Sequence, residues 1–489
     1  MNLVEPILRH GRMRPEDVAL VDEDRIITYG ELAELVWRTA GHLAALGVRR
    51  GDRVGLCLKD DWGHAVALLA VARLGATFVQ IDWRSRPAEK ARIADACDFK
   101  LVLALPDADM GANCPSVALD SAWHRHVAAV DAPSCAADDW HDPIAILASS
   151  GTTDLPKFTV ATHLQYYFRL ANYREVVPSA KRQRYLSTLS MSFSAGRVAF
   201  LSHLLRGDTL IFYPAMFSAS EFVEAVPRHQ ATVAYVVPSA LRQLLAIAET
   251  DKPLLPGLEV LITAGAPLFP DEKREVFRKL SPNFHEIYGA TAIGPMSVLR
   301  PQDMMERPES VGRPFPLIDI EIVDDRDRPV QTGETGRLRC RGPALTSPIP
   351  GHAIAGDFRD GWHYPGELAA LDADGYLRLH GRTSEVIFRG GAKIFPTEIE
   401  AVLQAHESVA EAAVVARVSS GNEQELVAYV IAGAPVAPGQ LLAHCRRRLT
   451  PYKVPREIHV VSELPRNAAG KLDKRALASQ AAASLSVKV

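Results

Sequence analysis

Arg53-Val-Gly-Leu-Cys-Leu58, then Ala65 to Leu74, then Ala76-Thr-Phe-Val-Gln-Ile81 form an apolar run of strand length, an apolar stretch of helix length and a second strand-length run. Short apolar runs bounded by turn residues read as buried strands, and longer ones as helices. Strand, helix and strand at this spacing make a βαβ unit, whose two strands lie parallel in one sheet. The alternation returns downstream. Val198 to Leu205 reads as a helix, Thr209-Leu-Ile-Phe-Tyr213 and Ala231-Thr-Val-Ala-Tyr-Val-Val237 as strands, and Pro238 to Ala248 as a helix opened by proline. Upstream, Thr28-Tyr-Gly-Glu31 fits a capping box, and Leu32, Leu35, Val36, Ala40, Leu43 and Leu46 recur at helical spacing until Gly47. Repeated units of this kind predict an α/β fold of largely parallel sheets covered by helices, with ligands at the carboxyl ends of the strands.

The texture changes further along. From about Ile318 come short β-rich pieces, Ile318-Asp-Ile-Glu-Ile-Val323, Gly336-Arg-Leu-Arg-Cys340 and Tyr376-Leu-Arg-Leu379, separated by Gly and Asp turns. They predict a small antiparallel or barrel-like subdomain at about 318–380. Beyond Arg382, helices at Pro396 to Leu403 and Pro438 to Leu449 alternate with strands at Val409 to Val415 and Glu425 to Ile431. The expected division is therefore a large N-terminal domain, 1–383, and a small α+β C-terminal domain, 384–489. The Ala/Ser-rich end, Ala476 to Val489, is expected to fray.

Composition narrows the function classes. With 47% hydrophobic and 23% charged residues over 489 positions, the chain has the make-up of a globular protein with a sizeable core. Its 55 basic and 58 acidic residues leave a net charge of −3, which gives no general electrostatic reason to bind nucleic acid or an anionic membrane. A small-molecule partner is expected. The one dense basic run, Arg446-Arg-Arg448, reads as a solvated helix face. Cys57, Cys97, Cys114, Cys135, Cys340 and Cys445 show no C-x-x-C pair, so they read as small hydrophobes rather than zinc or redox ligands. The most apolar window, Ala65 to Val79, is interrupted by Arg73, and no leader pattern opens the chain; a cytoplasmic protein is expected.

Chemistry concentrates in Ile146-Leu-Ala-Ser-Ser-Gly-Thr-Thr-Asp-Leu-Pro-Lys157, an apolar strand running into hydroxyls, a glycine and a lysine. Small residues let the backbone approach a polyphosphate. The hydroxyls of Ser149, Ser150, Thr152 and Thr153 donate hydrogen bonds, and Lys157 adds a point charge. A single glycine, and Phe158 after the lysine, disfavour a Walker-type loop. Taken alone, the same composition suits an ordinary loop as well as a phosphate site.

With these parts in place the sequence resembles, over nearly its whole length, the adenylate-forming superfamily of acyl-CoA and aryl-CoA synthetases, peptide-synthetase adenylation domains and luciferases. Its members activate a carboxylate with ATP to an acyl-adenylate and pyrophosphate, and most pass the acyl group to a thiol. Ser149-Ser-Gly-Thr-Thr-Asp-Leu-Pro-Lys157 is similar to the family's phosphate loop, with Gly151 kept but Asp154 and Phe158 where glycines are usual. Asp154 would either repel the triphosphate or help hold magnesium. His285-Glu-Ile-Tyr-Gly-Ala-Thr-Ala292 resembles the Y-G-x-T-E segment. The resemblance makes Tyr288, with Gly289, the adenine platform and Thr291 an α-phosphate contact; the magnesium-binding Glu is replaced by Ala292. Thr263-Ala-Gly-Ala-Pro267 resembles the segment lining the adenine and acyl pockets, which brings in Ala264, Gly265 and Ala266.

Glu367 occupies the place of the Asp that holds the ribose hydroxyls. Gly381-Arg-Thr-Ser384 resembles the hinge segment, so Arg382 is expected on ribose or phosphate and Ser384 at the pivot of a mobile C-terminal domain. Gly390 and Gly391 look like the glycines along the pantetheine tunnel of CoA ligases. Pro465-Arg-Asn-Ala-Ala-Gly-Lys471 resembles P-R-x-x-x-G-K, which makes Lys471 the catalytic cation with Thr152 and Lys157 beside it. Ser190-Met-Ser-Phe-Ser-Ala-Gly196 resembles the acyl-pocket entrance, with Ser194 where amino-acid-activating enzymes carry Asp. An ammonium would find no partner there, so an aryl or aliphatic acid without an α-amino group is expected, lined by Phe193, Ser194, Val237, Ala264 and Gly289.

The leading expectation is an acid–thiol ligase using ATP, Mg2+ and coenzyme A. A second is a stand-alone adenylation enzyme that loads the phosphopantetheine of a carrier protein. A third is a degenerate nucleotide- or acyl-binding module, prompted by Asp154, Phe158, Ala292 and Glu367. The joint presence of Thr152, Lys157, Arg382, Gly391 and Lys471 favours an enzyme.

Overall fold

The computed structural model describes residues 2–23, 25–111, 114–130, 139–149, 157–177, 180–248, 252–349, 357–389, 392–418, 424–466 and 472–486. Strands Arg53–Cys57 and Thr77–Gln80 pair in parallel and are joined by helix Trp62–Arg73, as a βαβ unit requires. The helix starts ahead of its apolar run because the Asp61 carboxylate caps it, accepting the His64 amide at 2.9 Å. Ala65 through Ala72 are each at most 4% exposed, so this all-apolar helix is covered on every side.

Two large sheets follow from the alternation. In a seven-stranded sheet, Ser116–Ala118, Leu101–Ala104, Arg53–Cys57, Thr77–Gln80 and Pro143–Ser149 run parallel, and Lys157–Thr162 and Ser347–Pro348 extend it antiparallel. In a nine-stranded sheet the parallel strands Val18–Asp22, Thr209–Phe212, Arg184–Ser187, Val233–Val236, Val260–Thr263 and Phe284–Ala290 form the centre. Arg25–Thr28 closes one edge antiparallel, and Gly294–Leu299 with Arg313–Pro314 the other. The expected β-rich subdomain is a six-stranded antiparallel sheet that includes Asp319–Val323, Gly336–Arg341, Glu367–Leu371 and Leu377–Arg382.

The C-terminal stretch builds a three-stranded sheet from Val409–Val418, Gln424–Ala432 and Glu457–Val461. Side chains alternate across it. Ala412 and Val414 pack with Ile399, Leu403, Leu441 and Cys445 of helices Pro396–Gln404 and Pro438–Arg448; Ala413 and Val415 pack with Leu477 and Ala481 of helix Lys474–Ser486. The expectation that the chain frays from Ala476 is thus corrected. Leu477 and Ala481, four apart on one helix face, bury against the second face of the sheet. These two clusters draw only on residues from Ile387 onward, while the other buried clusters of the described residues end at Leu377.

Thr28 Oγ1 accepts the Glu31 amide at 3.2 Å, but Glu31 turns to Arg25 instead of completing the capping box. Cys57, Cys97, Cys340 and Cys445 are buried free thiols, as expected of small hydrophobes; Cys135 lies outside the described residues. The Arg446–Arg448 side chains are exposed. Among the described residues no helix is long and apolar enough to cross a membrane.

Two buried histidines give the fold an acid-labile side. Burial lowers the imidazoles of His163 and His285 to about 4. An unfolded chain takes up these protons below about pH 6.5, whereas the folded chain does so only near 4. Their contribution is therefore complete above about pH 6.5 and lost as pH falls from there toward 4, at up to about 2.7 kcal/mol per pH unit for the two together. Urea midpoints measured across pH 7 to about 4.5 should fall with pH, and His163→Gln should shallow the slope by about one proton.

Candidate functional site

The acyl- and adenine-pocket candidates fall along one sheet edge. Phe193 and Ser194 lie beyond the carboxyl end of Arg184–Ser187, Val237 follows Val233–Val236, and Ala264, Gly265 and Ala266 follow Val260–Thr263. Tyr288 and Gly289 end Phe284–Ala290, with Thr291 just past it. These four strands are consecutive neighbours in the nine-stranded sheet, so residues far apart in sequence converge where an open α/β sheet binds ligands. Val237 is left 39% exposed there.

Glycines hold this edge in shape. A Cβ on Gly196 would stand 2.2 Å from the Ser190 carbonyl oxygen, so the Ser190–Phe193 loop can fold tightly over the start of helix Ser194–Arg206 only with glycine there. A Cβ on Gly289 would stand 2.4 Å from the Gly294 carbonyl oxygen, across the turn that presents Thr291.

The β-rich sheet brings the expected ribose group to the same place. Glu367 and Arg382 sit opposite each other in register, with Nη2 to Oε1 at 3.6 Å. The Glu367 side chain is 14% exposed and that of Arg382 is 44% exposed, so the carboxylate is fixed while the guanidinium reaches solvent. Burial of the Tyr288 hydroxyl, together with the Glu367 carboxylate beside it, holds that phenol well above its usual range. Tyr288, Glu367 and Arg382 thus form one corner.

The expected pivot lies one step on. Thr383 donates to the Gly366 carbonyl through its amide at 2.8 Å and its hydroxyl at 3.0 Å, and exposed Ser384 sits in the single turn Thr383–Glu385. Immediately beyond it, Glu385 accepts from Lys474 Nζ at 2.9 Å, and the same amine reaches buried Glu400 at 2.8 Å.

The stretch around Lys157 is a hairpin. Ser149 on Pro143–Ser149 faces Lys157 on Lys157–Thr162, an arrangement unlike the strand–loop–helix of a Walker site. Residues 150–156, with Ser150, Gly151, Thr152, Thr153 and Asp154, lie outside the described residues, as do the side chains of Ser149 and Lys157, and Gly390, Gly391 and Lys471. Phe158 is a core residue, 2% exposed beside Val79 and Ile146. His163 is buried, and its Nδ1 accepts the Leu3 amide at 3.2 Å.

Magnesium finds no ligand in the segment from His285 to Ala292. Its single carboxylate, Glu286, is buried and held by Lys273 at 2.5 Å, and Ala292 is 6% exposed. Among the described residues no group of three His, Cys, Asp or Glu side chains could hold a metal ion. The donor set therefore does not fit a protein-held magnesium within that segment.

One organising residue escapes the motifs. Arg169 is 0% exposed, and its Nη1, Nη2 and Nε donate to the carbonyl oxygens of Thr291, Ala292 and Ala344 at 2.9, 2.6 and 3.3 Å. Thr346 adds its amide and hydroxyl to the Ala292 oxygen at 2.9 and 2.8 Å, and the adjoining strand Ser347–Pro348 pairs with Lys157–Thr162. The Thr291 turn is thereby tied to the hairpin. Burial lowers the guanidinium to about 10, which leaves it charged at neutral pH. A sequence signal existed: Arg169 falls on the same stripe of helix His163–Arg174 as buried Tyr166, Leu170 and Tyr173.

Residues 7–348 match the AMP-binding enzyme family and residues 398–471 its C-terminal domain. The chain is an AMP-binding enzyme. It is 30% identical to the indoleacetate–CoA ligase of Aromatoleum aromaticum over 97% of both chains. It is 29% identical to the 2-succinylbenzoate–CoA ligase of Bacillus licheniformis, over 96% of this chain and 98% of the other. The o-succinylbenzoate CoA synthetase of Bacillus subtilis, solved with its acyl-adenylate, superposes with a TM-score of 0.88 at 26% identity, over 96% of this chain and 97% of that one. The two matched spans of this AMP-binding enzyme lie on either side of the Thr383–Glu385 turn.

Proposed function

We propose that this AMP-binding enzyme joins a carboxylic acid to coenzyme A in two steps. A carboxylate oxygen attacks the α-phosphorus of ATP and pyrophosphate leaves; the coenzyme A thiol then attacks the acyl carbon and AMP leaves with that oxygen. The observation that carries this reading is that Phe193, Val237, Tyr288 and Thr291 follow or end adjacent strands of the nine-stranded sheet, where Tyr288 meets Glu367 and its partner Arg382 of the six-stranded sheet. In this reading the nucleotide and acyl candidates share a single site.

In this reading Tyr288 and Gly289 pack on adenine, Gly265 and Ala266 border it, and Glu367 accepts from the ribose hydroxyls. Arg382 swings from Glu367 toward ribose or phosphate. Ser149, Ser150, Gly151, Thr152, Thr153 and Lys157 cradle the triphosphate, and Thr291 meets the α-phosphate. Lys471 stands between carboxylate and α-phosphate, where a cation offsets the repulsion of the two anions. Magnesium, when bound to ATP, spreads pyrophosphate charge; with Ala292 offering no ligand, Asp154 is the carboxylate assigned to it. Residues 384–489 form a lid that turns about Ser384, a reading supported by the separate buried clusters on either side of it. Gly390 and Gly391 then line the thiol's path.

The acid is an aryl or aliphatic carboxylate without an α-amino group, because Ser194 offers an ammonium no charge. A single-turnover experiment tests the order of steps. Without a thiol, one pyrophosphate per enzyme and a bound acyl-adenylate are expected, discharged on adding coenzyme A. Discharge by a carrier-protein phosphopantetheine but not by coenzyme A would overturn the choice of thiol.

A further inference from the structure

Arg197 ends the first turn of helix Ser194–Arg206 and is 3% exposed. Its Nη1 donates to the Met191 and Ser192 carbonyl oxygens, both at 2.7 Å, which fastens the guanidinium under the Ser190–Phe193 loop. Its Nε is buried without a partner, and neither Nε nor Nη2 makes a hydrogen bond or ion pair among the described residues. Ser192 Oγ beside it is also buried without a partner. Asp60, the carboxylate that reaches this loop, spends Oδ1 on the Met191 amide at 2.7 Å and forms no ion pair with Arg197.

A second buried cation lies in the same place. Arg169 donates to the Thr291 and Ala292 carbonyl oxygens, Arg197 is among the charges it feels, and neither arginine forms an ion pair with a carboxylate among the described residues. The Arg197 guanidinium therefore lies under the Ser190–Phe193 loop, within electrostatic reach of the Arg169 side chain that holds the Thr291 turn. A buried guanidinium with open donors and no anion is costly unless a ligand completes it. Its planar fork matches a carboxylate.

We infer that Arg197 is a specificity-determining residue that binds a second anionic oxygen group, a carboxylate, on the acyl part of the substrate, so that the preferred acids are dicarboxylic. This rests on the ligase reading above and deepens it. The carboxylate to be activated lies toward Thr291 and Lys471; the second lies under the Ser190–Phe193 loop, with Ser192 Oγ as an added donor.

The test compares acids matched in shape: hexanoate with adipate, and 3-phenylpropanoate with its ring-carboxylated counterparts. Wild-type enzyme should show kcat/KM at least about ten-fold higher for the diacid of a pair. Arg197→Met should lower the diacid value by about a hundred-fold more than the monoacid value, and leave the KM for ATP unchanged. Arg197→Lys should recover part of the diacid preference. Wild-type preference for monoacids overturns the inference, as does an equal loss for both acids in Arg197→Met, which would place Arg197 on the reacting carboxylate or in the loop's support. If Arg197→Met does not fold, the wild-type comparison decides alone. If no acid releases pyrophosphate, the ligase reading fails separately, and thermal shifts of wild-type enzyme with each pair decide the pocket: a larger shift with the diacid supports the second anion site, and an equal or smaller one overturns it.

Discussion

Lys471→Ala is expected to slow carboxylate-dependent pyrophosphate release by about a thousand-fold while ATP affinity stays within a few-fold. A cation placed between carboxylate and α-phosphate contributes most when both anions are being driven together, and little when ATP binds alone. The base of the lysine loop is firmly set. Arg466 and Leu472 form a β-bridge across it, the Asp473 amide donates to the Pro465 carbonyl at 2.8 Å, and Arg466 pairs with Glu411 at 2.6 Å. Just past it, Lys474 is locked between Glu385 and Glu400. Alanine at 471 therefore leaves the frame intact and removes only the charge. Thioester formation from a preformed acyl-adenylate should survive in the variant, and a comparable loss in both half-reactions would refute the assigned role.

Arg169→Met should cost both stability and rate, because one side chain holds three carbonyls. Methionine keeps the packing volume but leaves the Thr291, Ala292 and Ala344 oxygens without the guanidinium, a loss of about 3–5 kcal/mol. The Thr291 turn then loosens from the hairpin. Since small displacements of a positioned group weaken catalysis steeply, pyrophosphate release should fall by about a hundred-fold, in kcat more than in the KM for ATP. Arg169→Lys, able to reach fewer of these carbonyls, should land between the two. Urea titration together with steady-state kinetics checks both effects. Lost stability with unchanged kcat would make Arg169 a fold residue only.

The fold was legible wherever apolar runs alternated at a clear period. Arg53 to Ile81 read correctly because strands buried on both faces and a helix buried all round carry unbroken apolar sequence. Ends were harder to read: Asp61 and Phe193 start their helices ahead of the apolar runs, and Glu31 chose Arg25 over its capping box. The C-terminal helix was missed because alanine and serine say little about burial, and its anchors, Leu477, Ala481 and Lys474, act through partners distant in sequence.

The candidate site was legible as short segments, and the sheet order explains why they meet. Glu367 and Arg382 are paired by strand register, which the chain spells out only once its strands are aligned. Arg169 was not legible as an organising residue. It works through backbone carbonyls, which every residue type offers, so only the oddity of a charge on a buried helix face marks it.

The two-step reaction passes one carboxylate oxygen to AMP. Enzyme, ATP, magnesium, coenzyme A and a carboxylic acid labelled with heavy oxygen in its carboxylate should yield acyl-CoA, pyrophosphate and AMP carrying one labelled oxygen, read by mass spectrometry. Unlabelled AMP, or ATP bound and returned intact with every acid, would contradict it.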